Sequence, residues 1–207
     1  MKIERFGIGP IQTNCYLVSN EQTKEAVIID PAACPDYLVS HIKNEGMKPQ
    51  AILLTHGHFD HIMGIDGFLK EWKVPVCVHE KEEEAMNDKN LNHTTVISPD
   101  GYTFSGSEYV KDGQKLNFAG YTFEVIYTPG HTVGSCCYYV ESEKMLFSGD
   151  TLFLESVGRT DFENSRPALM GRSVREKLFI LPDDTKVYPG HEDETTIGHE
   201  RKYNPYI

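Results

Sequence analysis

Residues 55–61, T-H-G-H-F-D-H, place three imidazoles and one carboxylate directly after the apolar run of residues 51–54. An apolar run this short predicts a buried strand rather than a core helix, so the ligand-type residues lie on the loop at its end. His56 and His58 alternate along this loop and can share one face, where they can chelate one ion. The segment therefore predicts a metal site whose remaining ligands come from elsewhere in the chain.

Asp60 and His61 extend the predicted site toward a second ion. We expect Asp60 to be the N-cap of a helix through residues 62–69, because a short carboxylate can accept a hydrogen bond from the first helical turn. Asp60 and His61 are adjacent in the chain, so their side chains leave the start of that helix in different directions. We expect them to bind a second ion close to the first.

Three later segments share one local pattern, in which a predicted strand ends at a Gly or Pro turn that carries a single ligand-type residue. They are T-P-G-H at residues 128–131, F-S-G-D at residues 147–150 and V-Y-P-G-H at residues 187–191. Loops that leave different strand ends can converge on one point. Together with the first segment they supply five histidines and two aspartates, a set that suits two ions.

The seven residues are expected to form two three-residue sites joined by a bridging carboxylate. The first site is His56, His58 and His131, the second is Asp60, His61 and His191, and the bridge is Asp150. A three-histidine site leaves an open position for water. Nitrogen and oxygen ligands without cysteine favour zinc, with iron or manganese as alternatives.

This ligand set predicts hydrolytic chemistry. The charge of two divalent ions exceeds that of two carboxylates, so the centre is locally positive and favours an anionic substrate or tetrahedral intermediate. Metal-bound water can ionise near neutral pH and attack a carbonyl that the second ion polarises. Asp60 is also the expected catalytic residue, because its carboxylate can accept a hydrogen bond from the attacking hydroxide and aim it.

Composition narrows the class of protein. The chain has 207 residues, 39% of them hydrophobic, which predicts one globular domain spanning residues 1–207. Its formal net charge of −11, without a Lys/Arg-rich block, argues against nucleic acid or an anionic membrane as the main partner and leaves a small-molecule substrate. Five cysteines without a C-x-x-C spacing, and no apolar N-terminal signal, predict reduced thiols and a cytoplasmic protein. The oligomeric state stays open.

The order of predicted elements favours an α/β fold. β-type runs open the chain, strands and helices then alternate, and short β-type runs return between residues 116 and 147. The simplest packing puts two sheets in the middle and helices outside. The polar, aperiodic residues 87–107 are typical of a functional loop or lid, and His93 within them is interpreted as a loop residue.

The motifs together resemble those of the metallo-β-lactamase superfamily. The match rests on residues 56–61, His131 in T-P-G-H-T, Asp150 in S-G-D-T-L-F and His191 in Y-P-G-H, and it spans residues 10–207. The resemblance implies a four-layer αββα sandwich of two mixed sheets with outer helices and the metals at one edge. It also implies the two-metal ligand set given above.

Within that superfamily the chain is similar to short glyoxalase II-like hydrolases, which hydrolyse S-D-lactoylglutathione with a two-metal site. The similarity lies in G-R-T-D at residues 158–161, G-H-E-R at residues 198–201 and the pair Asn204-Pro205. Arg159 occupies the place of a basic substrate contact and is expected to bind a carboxylate, with a surface ion pair as the alternative. Full-length glyoxalase II has a C-terminal helical domain that helps to hold glutathione, and this chain ends at Ile207 before it. Glutathione is therefore expected to be held loosely or not to be the substrate.

Two other activities remain open. Persulfide dioxygenases share a G-R-T-D-F stretch like residues 158–162 and use one iron, although their last histidine usually sits in P-A-H rather than the P-G-H of residues 189–191. Hydrolysis of another ester, lactone or phosphoester would use the same site. The better-known metallo-β-lactamases have a cysteine where this chain has Asp150.

Overall fold

Two six-stranded sheets form the middle of the molecule in the computed structural model, which describes residues 1–207. The first sheet contains, in chain order and also in spatial order, β1 (Lys2–Ile8), β2 (Thr13–Ser19), β3 (Glu25–Ile29), β4 (Lys48–Leu53), β5 (Val76–His79) and β6 (Glu108–Val110). Strands β1 to β3 pair antiparallel, and β3 to β6 pair parallel, so the sheet is mixed.

The second sheet comes from the other half of the chain. The remaining strands are β7 (Lys115–Phe118), β8 (Tyr121–Tyr127), β9 (Cys136–Val140), β10 (Met145–Gly149), β11 (Leu152–Phe153), β12 (Ser156–Val157), β13 (Lys186–Pro189) and β14 (Thr195–Thr196). The spatial order in the second sheet is β14-β13-β10-β9-β8-β7, while β11 and β12 form a separate small hairpin. Only β10 and β13 pair parallel in this sheet.

Helices lie against the outer faces of the sheets. They are α1 (Asp36–Asn44), α2 (Phe59–Ile62), α3 (Ile65–Glu71), α4 (Glu83–Asn87), α5 (Pro167–Ser173), which continues into a π-helical turn (Val174–Leu178), and α6 (Ile197–Tyr203). Short 3₁₀ turns cover Glu80–Glu82, Thr94–Val96 and Glu141–Glu143. None of the helices is long and apolar enough to span a lipid bilayer.

Three apolar clusters divide the molecule into four layers. In β2, Leu17 faces outward and packs in the cluster that contains Leu38 of α1, whereas Tyr16 and Val18 face inward toward the second sheet. The outer face of the second sheet packs in turn against α5, through residues such as Met170. Both faces of β2 are covered, which explains why all seven of its residues are buried. The αββα sandwich of two mixed sheets expected from the sequence is confirmed.

Two buried tyrosines connect the sheets near one edge. The Tyr16 hydroxyl of the first sheet donates to the Pro189 carbonyl at the end of β13, at 2.7 Å. The Tyr138 hydroxyl of the second sheet donates to the Leu54 carbonyl just after β4, at 2.8 Å. Burial raises the pKa of both phenols, so both remain protonated donors. Each bond therefore fixes the strand end of one sheet against the other sheet.

Two sequence expectations about local structure are wrong. Asp60 is not an N-cap: α2 begins at Phe59 with His58 as its N-cap, and the Asp60 carboxylate accepts from the Thr13 hydroxyl instead. The helix expected through residues 62–69 is broken into α2 and α3, because the Gly64 N–H donates to the Pro31 carbonyl outside the helix.

Replacing Tyr138 with Phe should lower the free energy of unfolding by about 1–3 kcal/mol, because the Leu54 carbonyl then stays buried without its strong donor. Tyr16→Phe should have an effect of the same size through Pro189. Denaturant unfolding of the metal-free proteins measures both. Tyr37→Phe is the control, since that side chain is 58% exposed, and equal stability of all three variants would contradict the proposed connections.

Candidate metal centre

All seven ligand-type residues predicted from the sequence meet at one edge of the sandwich. Each follows the end of a strand: residues 56–61 follow β4, His131 follows β8, Asp150 follows β10 and His191 follows β13. Parallel pairing of β10 with β13, with Gly149 opposite Pro189, brings Asp150 and His191 side by side. The Cys136 N–H of the second sheet donates to the Thr55 carbonyl at 2.9 Å, which holds the first ligand loop against that sheet.

The first three-residue group consists of His56, His58 and His131. Its three imidazoles lie at the corners of a nearly equilateral triangle, with all three centroid distances at 4.7 Å. His58 Nδ1 is 2.9 Å from His131 Nε2, so these two nitrogens face the same point. All three side chains are buried. The structure thus brings together the three histidines of the first predicted group.

The second group consists of Asp60, His61 and His191. Asp60 Oδ2 lies 3.3 Å from His61 Nε2 and 3.1 Å from His191 Nε2. His61 is fully buried, whereas the His191 side chain keeps 23% of its surface exposed. The second group is therefore the one that opens more toward solvent.

Asp150 lies between the two groups. Its Oδ2 is 3.4 Å from His131 Nε2 and 3.5 Å from His191 Nε2, while its Oδ1 is 3.5 Å from His61 Nε2. One carboxylate therefore reaches both groups, which is the geometry that a bridging ligand requires.

The donor atoms fit divalent cations. Within each of three overlapping groups, every ligand atom lies within 4.8 Å of the others; the groups are His56-His58-His131, His56-His61-Asp150 and Asp60-His61-His191. Several buried atoms in them, including His56 Nε2, His61 Nε2 and Asp150 Oδ1, have no hydrogen-bond partner. Buried polar atoms without partners are costly, and a bound ion would satisfy them.

Burial and neighbouring charge set the protonation states. Burial lowers the pKa of His56, His58 and His131, which keeps these imidazoles in the neutral form that binds metal. Burial opposes ionisation of Asp150, but the nearby His61 outweighs it and holds the pKa of that carboxyl at about 2. Burial likewise disfavours the His61 cation, but the surrounding carboxylates, Asp60 first, raise the pKa of His61 above its usual value.

Residues not predicted from the sequence orient the ligands. Asp30, just after β3, accepts from both the Thr55 N–H and the Thr55 hydroxyl, at 2.8 and 2.7 Å, and its Oδ2 lies 3.0 Å from His61 Nδ1. Thr13 donates to Asp60 Oδ2 at 2.8 Å. Outer carboxylates of this kind fix the ring orientation of a metal-binding histidine. The sequence signal for Asp30 is its position directly after the apolar residues 26–29.

The Arg159 backbone orients another ligand. His131 Nδ1 donates to the Arg159 carbonyl at 2.8 Å, which leaves His131 Nε2 free to face the centre. The Arg159 guanidinium itself forms a two-bond ion pair with Asp161, at 2.6 and 2.7 Å, and lies 4.5 Å from the centre of the Phe162 ring. The surface ion pair considered from the sequence is thus present.

A cleft of about 620 Å³ opens over the centre. Its lining includes ligand residues together with the apolar side chains Ile11, Phe59, Val96, Phe153, Val157 and Phe162. Arg159 is the only lysine or arginine in that lining. His93 also lines the cleft, with its ring 4.7 Å from Phe162 and 5.0 Å from His58 between centroids. His93, expected to be an ordinary loop residue, therefore faces the cleft.

The other three histidines lie away from the cleft. His41 of α1 pairs with Glu4, and His199 of α6 pairs with Glu155. His79 ends β5 and stacks on Tyr127, with the two rings nearly parallel. They contribute nothing to the candidate centre.

Comparison with known proteins agrees with this geometry. The metallo-β-lactamase superfamily profile matches residues 8–191. A probable metallo-hydrolase of Bacillus subtilis, YqgX, is 37% identical over the whole chain and 98% of its own length. The hydroxyacylglutathione hydrolase GloC of Haemophilus influenzae is 30% identical, again over the whole chain and 98% of its own length.

Solved structures share the fold. The BLEG-1 B3 metallo-β-lactamase superposes with a TM-score of 0.92 at 39% identity, and the alignment covers 99% of both chains. TTHA1623 in a di-iron-bound form gives 0.86 at 32% identity, covering 99% of this chain and all of the other. ETHE1 from Myxococcus xanthus gives 0.80 at 28% identity, covering 99% of this chain and 84% of the other.

The fold and the His/Asp cluster define a class of proteins that bind divalent metals. The chain belongs to the metallo-β-lactamase superfamily, and its relatives place it among metallo-hydrolases.

Replacing Asp150 with Ala should weaken metal binding by more than about 100-fold, because Asp150 contacts both groups. Loss of a residue that only orients a ligand typically weakens metal binding by about 100-fold at most. Elemental analysis after dialysis should find less than the two ions per chain expected for the unmodified protein. Asp184→Ala removes an exposed carboxylate paired with Lys144 and should keep both ions. An Asp150→Ala protein that keeps two ions and full activity would contradict the assignment.

Proposed function

We propose that this protein is a two-metal thioester hydrolase whose substrate class includes S-D-lactoylglutathione. The observation that carries the proposal is the pair of three-residue donor groups joined by Asp150 at the base of an open cleft. The name of the Haemophilus influenzae relative, a hydroxyacylglutathione hydrolase, supports the choice of substrate. Hydrolysis of a thioester develops negative charge on the carbonyl oxygen and on the leaving thiolate. Two bound cations would stabilise both charges.

The proposed ligands are those assigned above, and zinc is the proposed metal because every donor is nitrogen or oxygen. The di-iron form of TTHA1623 makes iron the alternative. Two bound divalent ions would supply a water of lowered pKa and a Lewis acid for the carbonyl oxygen.

Asp60 is the proposed catalytic residue. Burial disfavours ionisation of Asp60, but the nearby His61 outweighs burial and holds the pKa of Asp60 well below its usual range. The group is therefore a carboxylate. Thr13 fixes Oδ2 by donating to it at 2.8 Å, which sets the orientation of the carboxylate. An ionised oxygen in this place can accept a hydrogen bond from the attacking water and direct it at the substrate carbonyl.

Arg159 is the proposed contact for a substrate carboxylate. It is the only cationic side chain of Lys or Arg type in the cleft, and its partner Asp161 is as exposed as the arginine itself. Exposed ion pairs contribute little to stability, so a substrate carboxylate can replace Asp161 at small cost. The Phe162 ring below the guanidinium holds it in place.

We further propose a small anionic thioester as the substrate, without nucleic acid or membrane as a partner, and a cytoplasmic location. The net charge of −11 disfavours binding to polyanions. All five cysteines are free thiols, which is typical of a reducing compartment.

A mono-iron persulfide dioxygenase is the alternative activity. The similarity to ETHE1 and the G-R-T-D-F stretch of residues 158–162 are compatible with it. It predicts one iron per chain and oxygen uptake with glutathione persulfide, neither of which a thioester hydrolase requires. Hydrolysis of another ester, lactone or phosphoester is a further alternative, and the similarity to BLEG-1 adds a β-lactam to the test panel.

Zinc-loaded protein should hydrolyse S-D-lactoylglutathione, and a chelator should abolish the activity until zinc is restored. Thiol release measures turnover, and elemental analysis of the freshly purified protein, before zinc is added, gives the metal content. Two ions with turnover of the thioester, and none with glutathione persulfide, is the expected result. One iron with oxygen uptake would favour the dioxygenase, and two ions with turnover only of an ester, lactone, phosphoester or β-lactam would refute the thioester assignment.

Replacing Arg159 with Ala should raise KM for S-D-lactoylglutathione by about tenfold with kcat nearly unchanged. This result is expected when the lost charged contact binds the substrate and the transition state equally. Arg172→Ala is a matched control, because Arg172 is similarly exposed and paired with Glu176 outside the cleft. An unchanged KM would show that Arg159 serves the site only through its backbone carbonyl.

A further inference from the structure

Glu82 is a fully buried carboxylate that no part of the proposed mechanism uses. It ends the 3₁₀ turn that follows β5, outside the group of candidate metal ligands. Glutamate is rarely buried without partners, because removing its charge from water is costly. Its environment therefore has to compensate for that charge.

Both oxygens of Glu82 are bound by the two loops that carry the first histidine group. Oε2 accepts from the Gly57 N–H at 2.8 Å, between His56 and His58. Oε1 accepts from the Gly134 N–H at 2.8 Å and from the Thr132 hydroxyl at 2.5 Å, just after His131. Burial raises the pKa of Glu82, and these three hydrogen bonds from neutral donors oppose that rise.

Close packing makes this contact specific. A Cβ atom at Gly57 would lie 3.0 Å from Glu82 Oε2, and one at Gly134 would lie 2.6 Å from the Glu82 backbone nitrogen. Glycine at both positions therefore lets the two loops approach the carboxylate closely enough to bond. Thr132 is itself fixed by the Ser135 hydroxyl, at 2.7 Å, so Glu82 binds an ordered loop rather than a free end.

We propose that Glu82 is the positioning residue of the first metal site: it joins the loop of His56 and His58 to the loop of His131 and holds their three imidazoles at the spacing that binds one ion. This inference rests on the proposed two-metal function. The Glu82 carboxylate forms no hydrogen bond with the residues of the second group. Thr13 and Asp30 of the first sheet contact that group instead. Loss of Glu82 should therefore affect the first ion and spare the second.

Glu82→Gln tests the inference, because the amide keeps the size of the side chain but must present N–H to one of the two loops. We expect zinc binding at the first site to weaken by about 10- to 100-fold, with the second site unchanged. Titration against a chromophoric chelator gives both dissociation constants without any substrate. Glu84→Gln, the same change at an exposed neighbouring position, should leave both constants unchanged.

A His191→Ala background assigns the affected site. That change removes a ligand of the second group and leaves the first group complete. Adding Glu82→Gln should then weaken the remaining ion by the same factor as in the unmodified protein. If Glu82→Gln fails to fold, Thr132→Val, which removes one donor, should weaken the first ion, and Thr132→Ser, which keeps the hydroxyl, should not.

Three results would overturn the inference: unchanged zinc binding in Glu82→Gln, equal weakening of both ions together with a lower melting temperature of the metal-free protein, or identical behaviour of Thr132→Val and Thr132→Ser. A protein that binds two ions normally with Glu82→Gln refutes only the role of Glu82. Unmodified protein that binds no ion refutes the proposed function as well.

Discussion

The need to satisfy a buried cluster of imidazoles and carboxylates shapes the rest of this structure. The donor atoms of each ligand group lie within 4.8 Å of one another, and every ligand residue except His191 is buried. A folded chain can hold such a cluster only if rigid elements fix every donor and if positive charge balances the carboxylates. Strand ends of two packed sheets supply the rigidity, and two divalent cations are the proposed source of the charge.

The sandwich architecture explains how distant segments can meet with this precision. Parallel pairing of β3 with β4 and of β10 with β13 brings neighbouring strand ends to one edge in each sheet. Hydrogen bonds from Tyr16 and Tyr138 then fix the two edges to each other beside the ligand loops. The layer that buries apolar surface is thus the same layer that aligns the candidate ligands, so stability of the core and geometry of the centre are coupled.

The candidate ligands were predictable because each lies in a short local pattern, a strand followed by a turn with one His or Asp. The residues that orient them were not. Asp30 and Glu82 carry no motif, and their roles depend on strand pairing and on loops more than twenty residues away. The N-cap assignment of Asp60 failed for the same reason, since the distant Thr13 hydroxyl determines where that carboxylate points.

Chemistry and substrate choice reside in different parts of the molecule. The candidate ligands stand on strand ends that the core holds rigid, whereas the cleft walls come largely from connecting segments that include His93, Val96 and residues 153–162. Changes in those segments can alter the substrate without disturbing the metal geometry, which is why one fold accommodates several hydrolytic functions. Arg159 joins the two parts, because its backbone orients His131 while its side chain faces the cleft. A shift in the loop that carries Arg159 would therefore change substrate binding and the first metal site together.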